Sequence, residues 1–208
     1  MKTIKETCYK GTRILLGNEK QEYLQKCREY LKLNDFVEIE IPIIQSQIIF
    51  ENKIGVENNN MMYTFQDRGF RNLCLAPEYT AIIQKLSQNT FKNEKDLKVF
   101  YVAECFRGEK PQKGRYRQFT QLGVEIINPT KYYRLPNKAL DLCMIFSEKE
   151  EFILNLDANR GLDYYTNGKG FEISCNRLGS SKQICGGGEY DGGNGFAIGV
   201  DRLLELLM

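Results

Sequence analysis

Two apolar runs rich in β-branched and aromatic residues, Val99 to Arg107 and Phe119 to Ile127, flank the polar segment Gly108 to Gln118. Runs of that composition bounded by polar, turn-forming residues read as strands, and a polar connection folds one back on the other. The middle of the chain is therefore a long-looped β-hairpin. In its second strand the two-residue period of β-structure puts Leu122, Val124 and Ile126 on one face and Phe119, Gln121, Gly123 and Glu125 on the other. The second face thus places a glutamine and a glutamate beside an aromatic ring. The loop carries Lys110, Lys113, Arg115 and Arg117, with Arg107 at its entrance, so cations gather around the turn.

Tyr23, Leu24, Cys27, Tyr30 and Leu31 recur at helical spacing behind Asn18, which together with Gln21 has the form of a capping box. In Phe36 to Pro42, Val37, Ile39 and Ile41 alternate with two glutamates, the pattern of a half-buried strand ended by proline. Asn58, Asn59 and Asn60 mark a loop, and Pro77 is expected to open a helix in which Ala81, Ile82 and Leu86 form a buried stripe. A further helical run spans Asp201 to Leu207. It follows the glycine-rich Gly186 to Gly195, whose spacing matches neither a dinucleotide-binding nor a P-loop motif and by itself reads as a flexible loop. No repeat, low-complexity tract or Pro/Ser-rich linker interrupts the 208 residues, so a single domain over 1–208 is expected.

The chain contains no histidine. That excludes Ser-His-Asp and Cys-His nucleophiles, an HExxH zinc site and a histidine general base. With 29 Lys+Arg against 27 Asp+Glu the net charge is +2, so any contact with nucleic acid is expected to be local rather than spread over a basic face. Seven cysteines scattered from Cys8 to Cys185 without a CxxC pair suggest neither a disulfide framework nor a zinc site, and read as reduced, buried thiols. The longest pure apolar runs, Val99 to Ala103 and Leu142 to Phe146, fall far short of the ~20 residues of a membrane span. The charged start Met1 to Glu6 has no signal-like apolar segment behind it, and a cytoplasmic protein without membrane contact is the expectation.

The stretch Phe106-Arg107-Gly108-Glu109-Lys110-Pro111-Gln112-Lys113-Gly114-Arg115-Tyr116-Arg117-Gln118-Phe119-Thr120-Gln121-Leu122-Gly123-Val124-Glu125 resembles motif 2 of the histidyl-tRNA synthetases. Three further blocks follow that family's order: Pro77-Glu78-Tyr79-Thr80, then Asn159-Arg160-Gly161-Leu162-Asp163-Tyr164-Tyr165-Thr166, then Gly195 to Leu203, which resembles class II motif 3. Phe36 to Pro42 resembles the strand of motif 1, and Ile54-Gly55 with Met62-Tyr63-Thr64-Phe65 continues the likeness. The resemblance implies an α+β fold, the class II aminoacyl-tRNA synthetase core, in which an antiparallel sheet is flanked by helices. It also implies a homodimer built through motif 1.

The activity implied is the activation of histidine with ATP to histidyl-adenylate and its transfer to tRNA. Joining a carboxylate to an α-phosphate brings two anions together and builds negative charge at phosphorus, so positioned cations carry the catalysis. Alone, an arginine at a strand end is most often a solvated charge, but the guanidinium fork of Arg107 suits phosphate oxygens in pairs. By resemblance Arg107 and Arg160 are the catalytic cations on that phosphate. Glu109, Arg115 and Arg202 join them in binding ATP with its Mg2+, Phe119 stacks on adenine, and no metal is held by the protein itself. Histidine as a substrate offers an ammonium and a ring with one donor and one acceptor nitrogen, so its pocket needs carboxylates and a hydroxyl at fixed positions. By resemblance Glu78, Thr80 and Gln121 take the α-amino end, Glu125 and Tyr165 with the adjoining Tyr164 take the imidazole, and Tyr190 helps close the pocket.

Only 34 residues separate Glu125 from Arg160, where the family carries an insertion domain, and the family's anticodon-binding domain has no counterpart after Met208. A catalytic core alone is the expectation. Two other readings stand beside the tRNA ligase. One is a non-catalytic histidine-binding subunit like the synthetase-like regulatory partner of ATP phosphoribosyltransferase. The other is an adenylate-forming enzyme with an acceptor other than tRNA. Keeping Arg107, Arg115, Arg160 and Arg202 together argues against the regulatory subunit, which has no use for a triphosphate site.

Overall fold

The hairpin read from the sequence is the centre of a seven-stranded sheet in the computed structural model, which describes residues 17–51, 53–110, 115–146, 152–160, 165–179 and 182–206, with the backbone of 2–3 and 13–14. Numbered along the chain, the strands are β1 (Lys2–Thr3), β2 (Arg13–Ile14), β3 (Val37–Glu38), β4 (Ile44–Ser46), β5 (Thr64–Gln66) and β6 (Asn72–Leu75), followed by β7 (Leu97–Phe106), β8 (Gln118–Ile127), β9 (Phe152–Asn159), β10 (Lys169–Cys175), β11 (Gln183–Tyr190) and β12 (Gly193–Gly199). The helices are α1 (Glu19–Leu33), α2 (Gly55–Asn60), α3 (Thr80–Gln88), α4 (Leu135–Cys143) and α5 (Val200–Leu204). The large sheet runs β3-β7-β8-β12-β11-β10-β9, and β4, β6 and β5 form a separate three-stranded sheet. Within the large sheet every pairing is antiparallel except β3 with β7.

The two faces of β8 divide the core as the sequence alternation requires. Leu122, Val124 and Ile126 pack against Tyr23, Leu24, Cys27 and Leu31 of α1 and against Leu135, Ala139 and Leu142 of α4. The other face meets α3 through Ala81, Ile82 and Ile83, with Val99, Tyr101 and Cys105 of β7 completing that cluster. The result is an α+β arrangement of a mostly antiparallel sheet flanked by helices. The described cysteines, Cys27, Cys74, Cys105, Cys143, Cys175 and Cys185, are all free and buried, and Cys8 lies outside the described residues. No helix among the described residues is long and apolar enough to cross a membrane.

Several local expectations are corrected. Asn18 begins α1, but its backbone sits at φ −102°, ψ 16°, away from the extended region from which a capping side chain reaches the first amides, and no side-chain cap bond forms. The strand expected over Phe36 to Pro42 shrinks to Val37–Glu38. Phe36 is pinned inward by its amide bond to Leu31 O at 3.0 Å, which turns Val37 out to 58% exposure. The Asn58–Asn60 run belongs to a helical turn, α2, held by buried Ile54 and by Asn58 Nδ2 donating to Ile54 O at 2.7 Å. Pro77 lies three residues before α3, because the Glu78 carboxyl itself takes the amides of Thr80 and Ala81, at 2.8 and 2.9 Å. The glycine-rich segment is a tight hairpin, β11 and β12, turned at Gly192 with φ +84°. Leu207, the expected end of the last helix, lies outside the described residues.

Candidate active site

Glycines let large polar side chains lie flat on the sheet. Tyr101 of β7 stands opposite Gly123 of β8, and its ring crosses the glycine so closely that a Cβ there would be 2.0 Å from Cζ. Glu125 stands opposite Gly195 of β12, where a Cβ would be 1.5 Å from Oε2. Arg160 lies over Gly186 of β11, with a would-be Cβ 2.2 Å from Nη2. Above this floor opens a cleft of about 280 Å3.

Arginines line its mouth. The Arg107 guanidinium stacks over the Phe119 ring at 5.3 Å and donates through Nε to Pro77 O at 2.9 Å, which aims its remaining N–H groups elsewhere. Arg115 pairs with Glu109 at 3.2 Å. Arg160 faces Glu172 at 3.6 Å and the Tyr165 ring at 5.5 Å, and its buried Nε has no partner among the described residues. Arg202 donates to Gln183 O at 2.9 Å, and burial, reinforced by nearby Arg115, holds its pKa below the usual arginine value. Four guanidiniums share this small cleft with the carboxylates of Glu78, Glu109 and Asp201, and guanidinium forks suit the paired oxygens of phosphates.

Further in, Glu78 and Thr80 stand at the start of α3 and line the cleft. Gln121 accepts the Cys105 thiol on its Oε1 at 3.2 Å, which leaves the amide NH2 as the donor facing the cleft. Glu125 and Tyr190 do not line the cleft; both are closed from solvent and joined by a bond from the Tyr190 hydroxyl to Glu125 Oε2 at 2.8 Å. Burial pushes the Glu125 carboxyl up to about 8, with the Tyr190 bond pulling the other way and the charge of Glu78 adding to the rise. Glu125 Oε1 and the Tyr101 hydroxyl are both buried with no partner among the described residues.

Of the residues named from the sequence, Glu78, Thr80, Arg107, Glu109 and Arg115 line the cleft, as do Phe119, Gln121, Arg160, Tyr165 and Arg202. Glu125 and Tyr190 are buried and are not among the residues lining it, while Tyr164 and the loop residue Lys113 lie outside the described residues. Sequence reasoning missed Tyr101, although a tyrosine facing a glycine across a hairpin was a usable signal once the register was set. It also missed Asp201, a cleft residue that accepts the Thr120 amide at 2.5 Å and pairs with Lys20 at 3.2 Å. Among the described residues no three His, Cys, Asp or Glu side chains group as a metal site.

An antiparallel sheet with helices on both faces and arginines over a glycine floor defines the core of a class II aminoacyl-tRNA synthetase. Residues 18–134 match the histidyl-tRNA synthetase family, and the chain belongs to that family. It is 28% identical to a histidine–tRNA ligase of Archaeoglobus fulgidus over an alignment 310 positions long with its gaps, which covers 94% of this chain and 75% of the relative. Against the histidine–tRNA ligase of Thermococcus kodakarensis the identity is 31%, over 95% of this chain and 48% of the relative. The alignment with the Methanococcus vannielii ligase takes in 30% of that protein, so the chain spans well under the full length of several relatives. The crystal structure of apo S. aureus histidyl-tRNA synthetase superposes with a TM-score of 0.70 and 26% identity, over 98% of this chain and 70% of that one. A Bacillus halodurans ATP phosphoribosyltransferase regulatory subunit/histidyl-tRNA synthetase shares the fold, at TM-score 0.70 and 16% identity over 100% of this chain and 84% of that one.

Proposed function

We propose that this chain is a catalytic core, one domain over residues 1–208, that activates histidine with ATP to histidyl-adenylate and passes it to the acceptor end of tRNA in the cytoplasm. The observation that carries the reading is that two buried polar atoms without a partner among the described residues, Glu125 Oε1 and the Tyr101 hydroxyl, stand on the face of the β7–β8 hairpin whose Phe119 and Gln121 line an arginine-rich cleft. Buried polar groups left unpaired in a folded protein call for a partner, and a ring with one N–H donor and one acceptor nitrogen meets both. Gln121 and Thr80 line the same cleft, where the amino-acid backbone would sit.

Activation joins a histidine carboxylate oxygen to the α-phosphorus of ATP and breaks the bond to the β-phosphate oxygen, releasing pyrophosphate. Arg107 and Arg160 would hold the α-phosphate, and Arg115 and Arg202 the departing phosphates, stabilising charge as it builds. A Mg2+ ion would neutralise phosphate charge here; Glu109, whose one ion pair among the described residues is with the half-exposed Arg115, is the cleft carboxylate that would hold it, since both oxygens of Glu78 serve α3 and Asp201 serves Thr120 and Lys20. Exposed Val37 on the edge strand β3, with exposed Ile44 and Ile48 following, supports a homodimer through this edge, which sedimentation equilibrium checks.

The test is histidine-dependent exchange of pyrophosphate into ATP, repeated with Arg107→Ala and Glu125→Ala. Exchange with histidine that both substitutions abolish is expected, and charging of total tRNA then identifies the acceptor. Absence of exchange with any amino acid overturns the reading in favour of a histidine-binding subunit.

A further inference from the structure

On the face of the sheet opposite the cleft, a second cavity of about 270 Å3 opens between the end of α1, the start of β7 and the start of α4. Its walls carry three cations, Lys98, Arg134 and Lys138, against one acid, Asp141. Lys98 and Lys138 converge on the same neighbours. Lys98 donates to Asn34 O at 3.1 Å and Lys138 to Asn34 Oδ1 at 2.8 Å. Both ammoniums also stand by the Phe36 ring, 5.8 and 5.7 Å from its centroid. Burial lowers the Lys138 pKa, Asp141 opposes the shift and Lys98 adds to it, as expected of two like charges brought together.

The nearby acids answer this charge poorly. Asp141 Oδ2 already accepts the Tyr30 hydroxyl at 2.9 Å, and Asp35, 3.5 Å from Lys98, is 88% exposed, where water screens it. Arg134 is the N-cap residue of α4, a nine-residue helix whose first turn receives no side-chain cap, so the positive end of that helix adds to the same field. Clamping Asn34 explains the two lysines; it explains neither the cavity nor Arg134.

We propose that this cavity is a second anion site that takes a phosphate group, carried either by a small molecule or by an RNA backbone. Lys98 of β7 and Lys138 of α4 supply point charges, and Arg134, one turn before Lys138, supplies a guanidinium fork. Ile126 forms part of the floor, and its neighbour Glu125 faces the opposite side of β8. The site is independent of the adenylation reading.

The test follows the methyl resonances of Ile126 and Leu135 in the full chain during titration with inorganic phosphate and, in a separate arm, with a short RNA duplex. Phosphate is expected to shift both residues saturably, with Arg134→Ala and Lys138→Gln each weakening binding about tenfold and Arg107→Ala leaving it unchanged. Both variants preserve the fold: Arg134 is exposed, and glutamine retains an N–H for Asn34. If the duplex shifts the same residues at far lower concentration, in a salt-dependent way, RNA is the source; if phosphate acts alone, a small molecule is. Shifts in neither arm, or shifts indifferent to both substitutions, overturn the site.

Discussion

The Tyr190 hydroxyl donates to Glu125 Oε2 across 2.8 Å, tying the end of β11 to the inner end of β8 where neither side chain meets solvent. The other oxygen of the same carboxyl is buried with no partner among the described residues. One carboxyl thus braces two strands and keeps one oxygen in reserve.

That position fixes a pH dependence of stability. Burial raises Glu125 from the ordinary 4.5 to about 8, so between those values the folded chain keeps a proton that the unfolded chain releases. Stability therefore falls as pH rises through this window, by an amount on the order of 5 kcal/mol for the ligand-free protein. Glu125→Gln removes the titration. Denaturant unfolding across the window is expected to show a downward slope for the natural chain that is absent, or much shallower, in the variant. Parallel profiles would mean that the carboxyl is ionised in the fold.

Tyr101→Phe separates folding from binding. The hydroxyl is buried without a partner, so deleting it is expected to raise ligand-free stability by about 1 kcal/mol. If histidine's ring supplies the missing partner, the same change raises the histidine KM about tenfold while kcat holds. Thermal unfolding and exchange kinetics on one preparation check both halves; a stability gain with an unaltered KM would place the ring elsewhere.

Much of this was legible in the sequence, and what was hidden has physical reasons. The two-residue alternation in Phe119 to Ile127 assigned each side chain to its correct face, because both faces of β8 are covered by packed elements and the pattern had to be satisfied. The alternation in Phe36 to Pro42 misled, because pairing with β7 lasts for two residues and Phe36, just before the pattern, takes the buried place. The glycines of β11 read as a loop because the reason for them lies on other elements: Arg160 fills the space over Gly186, and Tyr165 that over Gly188. Tyr101 was invisible for a similar reason, since its partner Gly123 is set by hairpin register.

Adjacent glycines in β11 are expected to fail differently. A Cβ on Gly186 would meet the far end of the Arg160 side chain at 2.2 Å, which can move aside. A Cβ on Gly187 would meet the Gly195 carbonyl oxygen at 2.4 Å and Phe196 Cβ at 2.5 Å, which are part of the sheet and cannot. Gly186→Ala is expected to fold normally and lose exchange activity through displacement of the guanidinium. Gly187→Ala is expected to lose roughly 1 to 3 kcal/mol of stability, as overpacked cores do. Circular dichroism melts beside pyrophosphate exchange distinguish the two, and equal stability losses would show that Arg160 is rigidly held.

Arg107→Lys tests whether shape or charge matters at the mouth of the cleft. The guanidinium is oriented by stacking on Phe119 at 5.3 Å and by the Pro77 carbonyl at 2.9 Å, leaving a planar fork for phosphate oxygens. Lysine keeps the charge but has neither the plane that stacks nor the paired N–H groups. Exchange kcat is expected to fall about 100- to 1000-fold for Arg107→Ala, the range for losing one aimed donor from a developing charge, with Arg107→Lys recovering little of it. The histidine KM should stay near that of the natural chain if, as proposed, the ring and α-amino group are held by other residues, Glu125, Gln121 and Thr80. Recovery by lysine to near full activity would reduce Arg107 to a point charge and leave its stacking on Phe119 without a catalytic role.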